Sequence, residues 1–215
     1  MEKKAVLSLL NESGVIAVIR WDSSEGVLQS IRILLKAGVR FIELTTTIPK
    51  VFDLAAKALA EFDTTICLGI GTVLNADDAN RAVSSGCQFI VSPVFDRDVV
   101  SLCNKSKVVV VPGAYTPQEA FIAWKNGADV VKLFPANLGG TMLLEAIREP
   151  MPQIKFITTH GHAENAAEFV KAGATAVCFG GAALGLLIRA KNFIAIEKNA
   201  LDILTAVRSV KHGSK

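Results

Sequence analysis

The chain has 215 residues, 51% of them hydrophobic, and a formal net charge of only +3 at pH 7. This length suits one well-buried domain or two small ones, and scattered basic residues do not predict binding to nucleic acid. No apolar run reaches the roughly 18 residues of a membrane span, so no membrane partner is expected.

The amino-terminal residues 1–12 carry charges that interrupt their apolar positions, so they predict a short amphipathic helix rather than a signal peptide. The basic residues 211–215 are expected to form a frayed tail. The cysteines are far apart and form no C-x-x-C motif, which favours a reducing compartment and hence the cytoplasm. They are Cys67, Cys87, Cys103 and Cys178.

A weak internal repeat runs through the chain. Four times, an amphipathic segment ends in a glycine and an apolar, strand-like run follows; these glycines are Gly38, Gly86, Gly127 and Gly173. Glycine suits the left-handed position just beyond a helix, so each repeat predicts a helix followed by a buried strand. Such alternation is typical of parallel α/β folds.

Eight apolar runs predict strands, and amphipathic segments such as residues 26–37, 51–61, 76–85 and 163–171 predict helices between them. Capping signals precede two helices, at residues 22–25 and at Thr116, with Pro117 as the first helical residue. The predicted strands are residues 14–20, 41–47, 65–72, 88–93, 108–113, 129–135, 155–159 and 175–181.

Eight strand–helix units in this length predict a compact α/β fold, a (β/α)8 barrel that forms a single domain over residues 1–215. A doubly wound open sheet is the competing fold. No G-x-G-x-x-G motif opens a helix after the first strand, which weakens that alternative.

One charged side chain lies in the middle of the sixth predicted strand. Because strands alternate their faces, Lys132 shares a face with Val130 and Phe134. If that face looks into a closed core, burial favours the neutral amine, which is a nucleophile toward carbonyl groups. An edge-strand lysine with its head in water, or a structural pair with a carboxylate, is the alternative.

Glu43 is the second charge inside an apolar strand, on one face with Phe41, Thr45 and Thr47. A carboxylate near a buried lysine supplies the acid/base that Schiff-base chemistry requires. A purely structural ion pair is the alternative. Two such residues at one barrel mouth favour catalysis.

In a barrel the active site lies at the carboxyl ends of the strands, and these ends supply the other candidates. They carry Arg20, Glu43, Thr45, Thr47, Gly69, Gly71, Thr72, Ser92, Pro93, Pro112, Gly113, Lys132, Phe134, Thr159, His160, Gly161, Gly180 and Gly181.

Two glycine-containing segments occupy the usual phosphate site of such barrels, where backbone N–H groups and a helix N-terminus face the anion. They are Thr159–Gly161 after the seventh strand and Gly180–Gly181 after the eighth; ordinary tight turns are the alternative. Thr72 follows a third glycine-containing run and is either a ligand contact or part of a strand-to-helix turn.

His160 and His162 suggest a metal ion, but the third histidine, His212, lies in the tail. Carboxylates or a cysteine would have to complete such a site. We therefore expect neither a metal nor another cofactor.

Five short segments follow one another in an order and spacing that match a known family. They are FIELT at 41–45, GIGTVLN at 69–75, SP at 92–93, VPG at 111–113 and KLFPA at 132–136. Together they resemble the 2-dehydro-3-deoxy-phosphogluconate (KDPG) and 4-hydroxy-2-oxoglutarate (KHG) aldolases. The resemblance implies a (β/α)8 barrel, usually a homotrimer, that acts as a metal-independent class I aldolase.

The resemblance assigns roles to individual residues. It implies that Lys132 is the Schiff-base lysine, that Glu43 is the general acid/base and that Thr72 helps to hold the carboxylate of pyruvate. It also implies contacts around the substrate from Pro93, Phe134 and Thr159.

Three positions depart from the family pattern. Many members have an arginine where this chain has Thr47, and some relatives with threonine there carry an arginine at the end of the first strand, as Arg20 does here. The family's Pro-Thr-Gly-Gly is Thr-Thr-His-Gly at residues 158–161, and its serine after the last strand's glycines is Ala182. The second and third changes fall on the phosphate site.

The implied reaction is cleavage of a 2-keto-4-hydroxy acid to pyruvate and an aldehyde. KDPG, which would yield glyceraldehyde 3-phosphate, KHG, which would yield glyoxylate, and 2-dehydro-3-deoxy-6-phosphogalactonate all remain open as substrates. The alternatives are a metal-dependent aldolase or an epimerase using His160 and His162, and a non-catalytic, ligand-binding barrel.

Overall fold

The computed structural model describes residues 1–211. Its strands are β1 (Val15–Ile19), β2 (Phe41–Thr45), β3 (Cys67–Gly71), β4 (Phe89–Val91), β5 (Val109–Val111), β6 (Gly113–Ala114), β7 (Val131–Leu133), β8 (Phe156–Gly161) and β9 (Ala176–Gly181). All the strand pairs are parallel, in the order β5-β4-β3-β2-β1-β9-β8-β7-β6. The result is a nearly closed barrel, as the predicted alternation of strands and helices requires.

Helices connect most successive strands along the outside of the barrel, one more precedes β1, and two follow β9. They are α1 (Lys3–Ser13), α2 (Val27–Ala37), α3 (Val51–Phe62), α4 (Ala76–Ser84), α5 (Arg97–Lys105), α6 (Pro117–Lys125), α7 (Gly140–Arg148), α8 (Ala163–Lys171), α9 (Ala182–Arg189) and α10 (Phe193–Lys211). None of these helices is long and apolar enough to cross a membrane.

The predicted fifth strand is two strands, because it is broken at Pro112. Proline has no N–H to extend a ladder, although its carbonyl oxygen accepts a 2.8 Å hydrogen bond from the backbone N–H of Lys132. β5 pairs with β4, whereas β6 pairs with β7. The chain therefore passes from one neighbour to the other at this bend, and the barrel has nine strands rather than eight.

Alternating side chains of the strands form two cores. Ile16 and Val18 of β1 belong to the cluster inside the barrel, whereas Val15 and Ile19 pack outward against the helices. α1 also contributes to the inner cluster, and Lys3 on that helix pairs with Asp129, just before β7, at 2.9 Å. α1 therefore covers the amino-terminal end of the barrel, opposite the carboxyl ends of the strands.

The glycine repeat and one of the two capping signals are confirmed. Gly38, Gly86, Gly127 and Gly173 all have positive φ angles just beyond a helix. Thr116 and Glu119 form a capping box on α6, with Pro117 as its first residue. The other signal, at residues 22–25, does not cap α2, which begins at Val27 after a left-handed Gly26.

The carboxyl terminus differs from the expected frayed tail at its first residue. Lys211 is the last residue of α10, and its Nζ donates hydrogen bonds to the carbonyl oxygens of Asn11 and Thr175. α10 is thereby fastened to α1 and to the loop before β9. The remaining tail residues, 212–215, lie outside the described residues, and His212 is one of them.

Candidate active site

Lys132 and Glu43 meet inside the barrel from two strands, and of the two only Lys132 borders the cavity at its mouth. Lys132 is the middle residue of β7, and its apolar neighbours Val131 and Leu133 pack outward in the helix-facing core. Its Nζ lies 3.9 Å from Oε1 of Glu43 on β2, and the two side chains are 8% and 0% exposed. The predicted meeting of the two charges therefore occurs in a buried, low-dielectric environment.

The carboxylate of Glu43 has no hydrogen-bond partner among residues 1–211, although both of its oxygens are buried. Such a group is costly to bury. Gly71, on the adjacent strand β3, provides the space for it, since a Cβ at that position would lie 1.8 Å from Oε1 of Glu43. An unpaired buried acid beside a lysine is typical of a chemical site rather than of a structural contact.

Arg20 and Thr72 approach the site from β1 and β3. Nη2 of Arg20 donates a 2.9 Å hydrogen bond to Oγ1 of Thr72, which has a φ of 63°. The predicted Thr47 is exposed, and its hydroxyl bonds that of Thr45 at 2.7 Å. Arg20, with its remaining free donors, is therefore the cation on this side of the mouth.

Thr159, His160 and Phe134 form the opposite side. Phe134 is 37% exposed, and Nζ of Lys132 lies 5.7 Å from the centre of its ring. Thr159 is buried, whereas His160 is exposed. β8 extends through Gly161, so His160 and Gly161 lie within that strand rather than after it, at an irregularity in its pairing with β9.

One side chain that the sequence did not single out, Asn165 on α8, holds this segment. Its Nδ2 donates to the carbonyl oxygen of His160 at 3.1 Å, and its Oδ1 accepts from the N–H of His162 at 2.8 Å. The N-cap of α8 at His162 was the available signal, because a polar residue three positions later can bond back to the cap. Asn165 thus supports the left-handed backbone of His160, whose φ is 59°.

A cavity of about 390 Å³ opens between these elements. It is bounded by Val18, Arg20, Lys132, Phe134, Thr159, His160, Gly161, His162, Cys178, Phe179, Gly180, Gly181, Ala182 and Ala183. Most of the predicted substrate contacts therefore share one space with Lys132. Burial raises the pKa of the Cys178 thiol to about 12, so this side chain stays uncharged.

Four predicted site residues lie outside that lining: in the described part of the chain, Glu43, Thr47, Thr72 and Pro93 do not border the cavity, and Glu43 lies buried behind Lys132. Thr72 contacts Arg20, which does border the cavity, through the hydrogen bond described above. The carbonyl oxygen of Pro93 packs against Gly113, where a Cβ would lie 2.0 Å from that oxygen. Over residues 1–211, no group of three His, Cys, Asp or Glu side chains is placed to hold a metal ion.

Comparisons with known proteins agree with this architecture. A family model described as KDPG and KHG aldolase matches residues 6–200. The 2-dehydro-3-deoxy-phosphogluconate aldolase of Treponema pallidum is 33% identical over 177 residues, which are 81% of this chain and 84% of that protein. The 2-dehydro-3-deoxy-6-phosphogalactonate aldolase of Escherichia coli is 27% identical over 200 residues, or 92% and 94% of the two chains.

A solved structure supports the fold. The KDPG aldolase of Legionella pneumophila, in which pyruvate was captured as a covalent carbinolamine, has a TM-score of 0.83 at 24% identity and covers 92% of this chain and 97% of its own. The barrel and its relatives define the class of the protein, which is an enzyme, a carbon–carbon lyase. Within that class, the chain belongs to the KDPG and KHG aldolase family.

Proposed function

We propose that this protein is a class I aldolase that cleaves a 2-keto-4-hydroxy acid to pyruvate and an aldehyde through a Schiff base on Lys132. The observation that carries the proposal is the buried approach of Lys132 Nζ to Glu43 Oε1, at 3.9 Å. Glu43 takes the proton from the ammonium, and the neutral amine then attacks the 2-keto carbon of the substrate.

The attack forms a C–N bond and gives a carbinolamine, the kind of adduct in which pyruvate was captured on the Legionella pneumophila enzyme. Glu43 then gives the proton that it took from the ammonium to the carbinolamine hydroxyl, which leaves as water, so the product is a protonated imine and Glu43 is ionised again. The positive nitrogen draws electrons from the substrate, so the C3–C4 bond breaks, the electron pair forms an enamine, and the 4-hydroxyl proton passes to Glu43, directly or through water.

The aldehyde then leaves, and Glu43 returns a proton to C3 of the enamine. Hydrolysis of the resulting imine releases pyruvate and restores the amine of Lys132. Each step needs one acid or base within reach of the substrate's reacting carbons. Glu43 serves in both directions because its carboxylate has no competing hydrogen bond from residues 1–211.

The two ends of the substrate lie on opposite sides of the mouth in this proposal. Arg20, held by Thr72, binds the carboxylate of the pyruvate half, since guanidinium and carboxylate form strong charge-assisted bonds. Phe134 and Thr159 border the reacting centre. The aldehyde half extends toward the last two strands; Thr47, Pro93, His160, Gly161, Gly180 and Gly181 complete the proposed substrate contacts.

Neither a metal nor another cofactor takes part in this mechanism, because the imine itself supplies the electron sink. We further propose that the protein works in the cytoplasm, as its scattered cysteines suggest, and as a homotrimer, as the family resemblance implies. The phosphogalactonate aldolase reaction is a second candidate, favoured by the Escherichia coli relative that aligns over 200 residues. It differs only in the configuration of the substrate.

Pyruvate release tests the proposal. Wild type, with EDTA present, is expected to release pyruvate from at least one of KDPG, KHG, the phosphogalactonate epimer and 2-keto-3-deoxygluconate, which lacks the phosphate. Lys132→Met should be inactive, whereas Lys57→Met, which alters an exposed lysine on α3, should match wild type. Activity that is lost in EDTA, or that persists in Lys132→Met, would exclude the Schiff-base mechanism.

A further inference from the structure

The hydroxyl of Thr159 lies within hydrogen-bonding distance of three groups. It donates to the carbonyl oxygen of Leu133 at 3.2 Å and accepts from the backbone N–H of Ala136 at 3.0 Å. Its third neighbour is Nδ1 of His160, also at 3.2 Å. A hydroxyl has one proton and two acceptor lone pairs, so these three contacts use its full capacity.

These contacts assign a protonation to His160. With the proton of the Thr159 hydroxyl directed to Leu133, the hydroxyl accepts from the imidazole. In this assignment Nδ1 carries the hydrogen. In the neutral ring, Nε2 is then an unprotonated acceptor. Within residues 1–211 Nε2 makes no hydrogen bond, and the ring lines the cavity that also contains Lys132.

Few cationic side chains border the end of this cavity near His160 and α9, where an anion would have to bind. Of the described residues that border it, only Arg20 and Lys132 carry cationic side chains other than histidine, and the proposed mechanism uses both at the pyruvate half. Ala182 and Ala183 begin α9 there, so the side chains of its first turn add no hydroxyl donor. Backbone N–H groups of that turn remain available.

We propose that His160 selects an aldehyde half that ends in a hydroxyl group rather than a phosphate. The terminal hydroxyl donates its proton to Nε2 of His160, and its oxygen accepts from backbone N–H groups at the start of α9. This inference rests on the proposed function, since it assigns the distal end of the same substrate. It makes His160 a specificity-determining residue of the aldolase site.

A phosphate fits the same position poorly. A phosphate dianion has only acceptor oxygens, which would face the lone pair of Nε2. The ring could bind it only by taking up a proton. Although the residue as a whole is exposed, partial burial of its ring, and then the neighbouring charges of His162 and Lys132, hold the pKa of His160 below its ordinary value of 6.5. Proton uptake is therefore unfavourable at neutral pH, and the preference for a hydroxyl persists.

The tautomer is directly measurable by nuclear magnetic resonance on the full-length protein labelled with ¹⁵N in histidine. Two-bond nitrogen–proton correlations at neutral pH are expected to show His160 protonated at Nδ1 and unprotonated at Nε2. The His160→Asn variant identifies its signals. A ring protonated at Nε2, or at both nitrogens, would overturn the inference.

Ligand preference is tested with 2-keto-3-deoxygluconate and its 6-phosphate, which differ only at the terminal group. Titration calorimetry measures the affinity of both ligands for the Lys132→Met/Glu43→Gln variant. This variant cannot cleave them, and its two substitutions together leave no unpaired buried charge. The free-hydroxyl acid is expected to bind at least tenfold more tightly than the 6-phosphate. Adding His160→Asn should reduce that ratio about tenfold, which corresponds to about 1.4 kcal/mol, the upper end of what one hydrogen bond contributes. Asparagine tolerates the positive φ, and His160→Gly repeats the test with no polar side chain.

The 6-phosphate binding as tightly as the free acid, both His160 variants leaving the ratio unchanged, or neither ligand binding would each overturn the inference. Failure of the proposed function has a different signature. In that case wild type releases no pyruvate from either acid, whatever their relative affinities for the double variant.

Discussion

Nζ of Lys132 and Oε1 of Glu43 lie 3.9 Å apart across the barrel mouth, with almost no solvent exposure. The separation is longer than a hydrogen bond but short enough for strong attraction in a low-dielectric interior. Each charge is therefore tolerated only because of the other. In the proposed mechanism the two groups exchange a proton, and at this separation no hydrogen bond between them has to break first.

A double-mutant cycle on this pair tests that mutual dependence. Lys132→Met leaves the carboxylate of Glu43 buried without a cation, and we expect it to lower the free energy of unfolding by about 3 kcal/mol. Lys132→Met/Glu43→Gln should recover most of that loss, since both charges are gone. Urea unfolding measures the energies. Strictly additive effects of the two substitutions would contradict the coupling.

Gly71 should be indispensable for activity because Glu43 fills the space where a side chain would lie. Gly71→Ala puts a methyl group within 1.8 Å of the starting position of Oε1, so the carboxylate must move. Displacing a catalytic group by about 1 Å costs about 100-fold in rate, and steady-state kinetics should show a loss of at least that size.

Gly69→Ala is the matched control for overpacking in the same strand. Its new methyl group would meet the ring of Phe89 rather than Glu43. It should lower stability by a similar amount, about 1–3 kcal/mol, but reduce turnover far less. Equal losses of activity in the two variants would show that Gly71 acts only through packing.

Arg20 is expected to bind the carboxylate of the pyruvate half. Arg20→Ala should raise KM for the 2-keto-4-hydroxy acid by about 10- to 100-fold, since hydrogen bonds to charged groups contribute about 1.5–3 kcal/mol. Arg189→Ala, which removes an exposed arginine paired with Asp22, is the control and should leave KM unchanged. An unchanged KM in Arg20→Ala would move the carboxylate site elsewhere, with Thr47 as the next candidate.

The preference for a hydroxyl over a phosphate should depend on pH. The pKa of His160 is lowered by burial and by His162 and Lys132, so the ring is neutral above pH 6.5 and becomes a cation only as the pH falls below that lowered pKa. The cation donates from Nε2 and can bind phosphate. From about pH 8 to about pH 5.5, the ratio of kcat/KM for the 6-phosphate over the free acid should rise.

His160→Asn provides the reference for this pH profile, because titration of the phosphate itself remains in that variant. The other charged groups that border the cavity near His160, in the part of the chain the structure describes, are His162 on the same segment, Lys132 on β7 and Arg20 on β1. If the ratio of kcat/KM for the two acids changes with pH in the same way in wild type and in His160→Asn, its pH dependence comes from the ligand or from these other groups. That result would contradict the role given to His160.

The barrel was predictable from sequence because its strands are buried on both faces and its helices end at glycines with positive φ. The prediction was wrong where one residue interrupts a pattern. Residues 108–113 look like a single apolar strand, but Pro112 cannot continue the ladder, and the chain changes neighbours there. Hydrophobic periodicity does not detect such a break, since the flanking side chains remain buried.

The meeting of Lys132 with Glu43 was also predictable, because a charge inside an apolar strand is conspicuous and strand alternation assigns its face. The roles of Gly71 and Asn165 were not. Gly71 matters because it leaves space for the side chain of Glu43 on the adjacent strand. Asn165 matters because it bonds the backbone of His160, which is left-handed although it is not a glycine. Both depend on three-dimensional proximity.

Covalent trapping tests the central claim most directly. The full-length protein is incubated with pyruvate and sodium borohydride, digested and analysed by mass spectrometry. We expect a reduced pyruvate adduct on Lys132 and none on that residue when pyruvate is omitted, with Glu43→Gln trapping more slowly. Folded protein that gains no adduct, or gains it only on another lysine, would contradict the assignment of Lys132 as the Schiff-base residue.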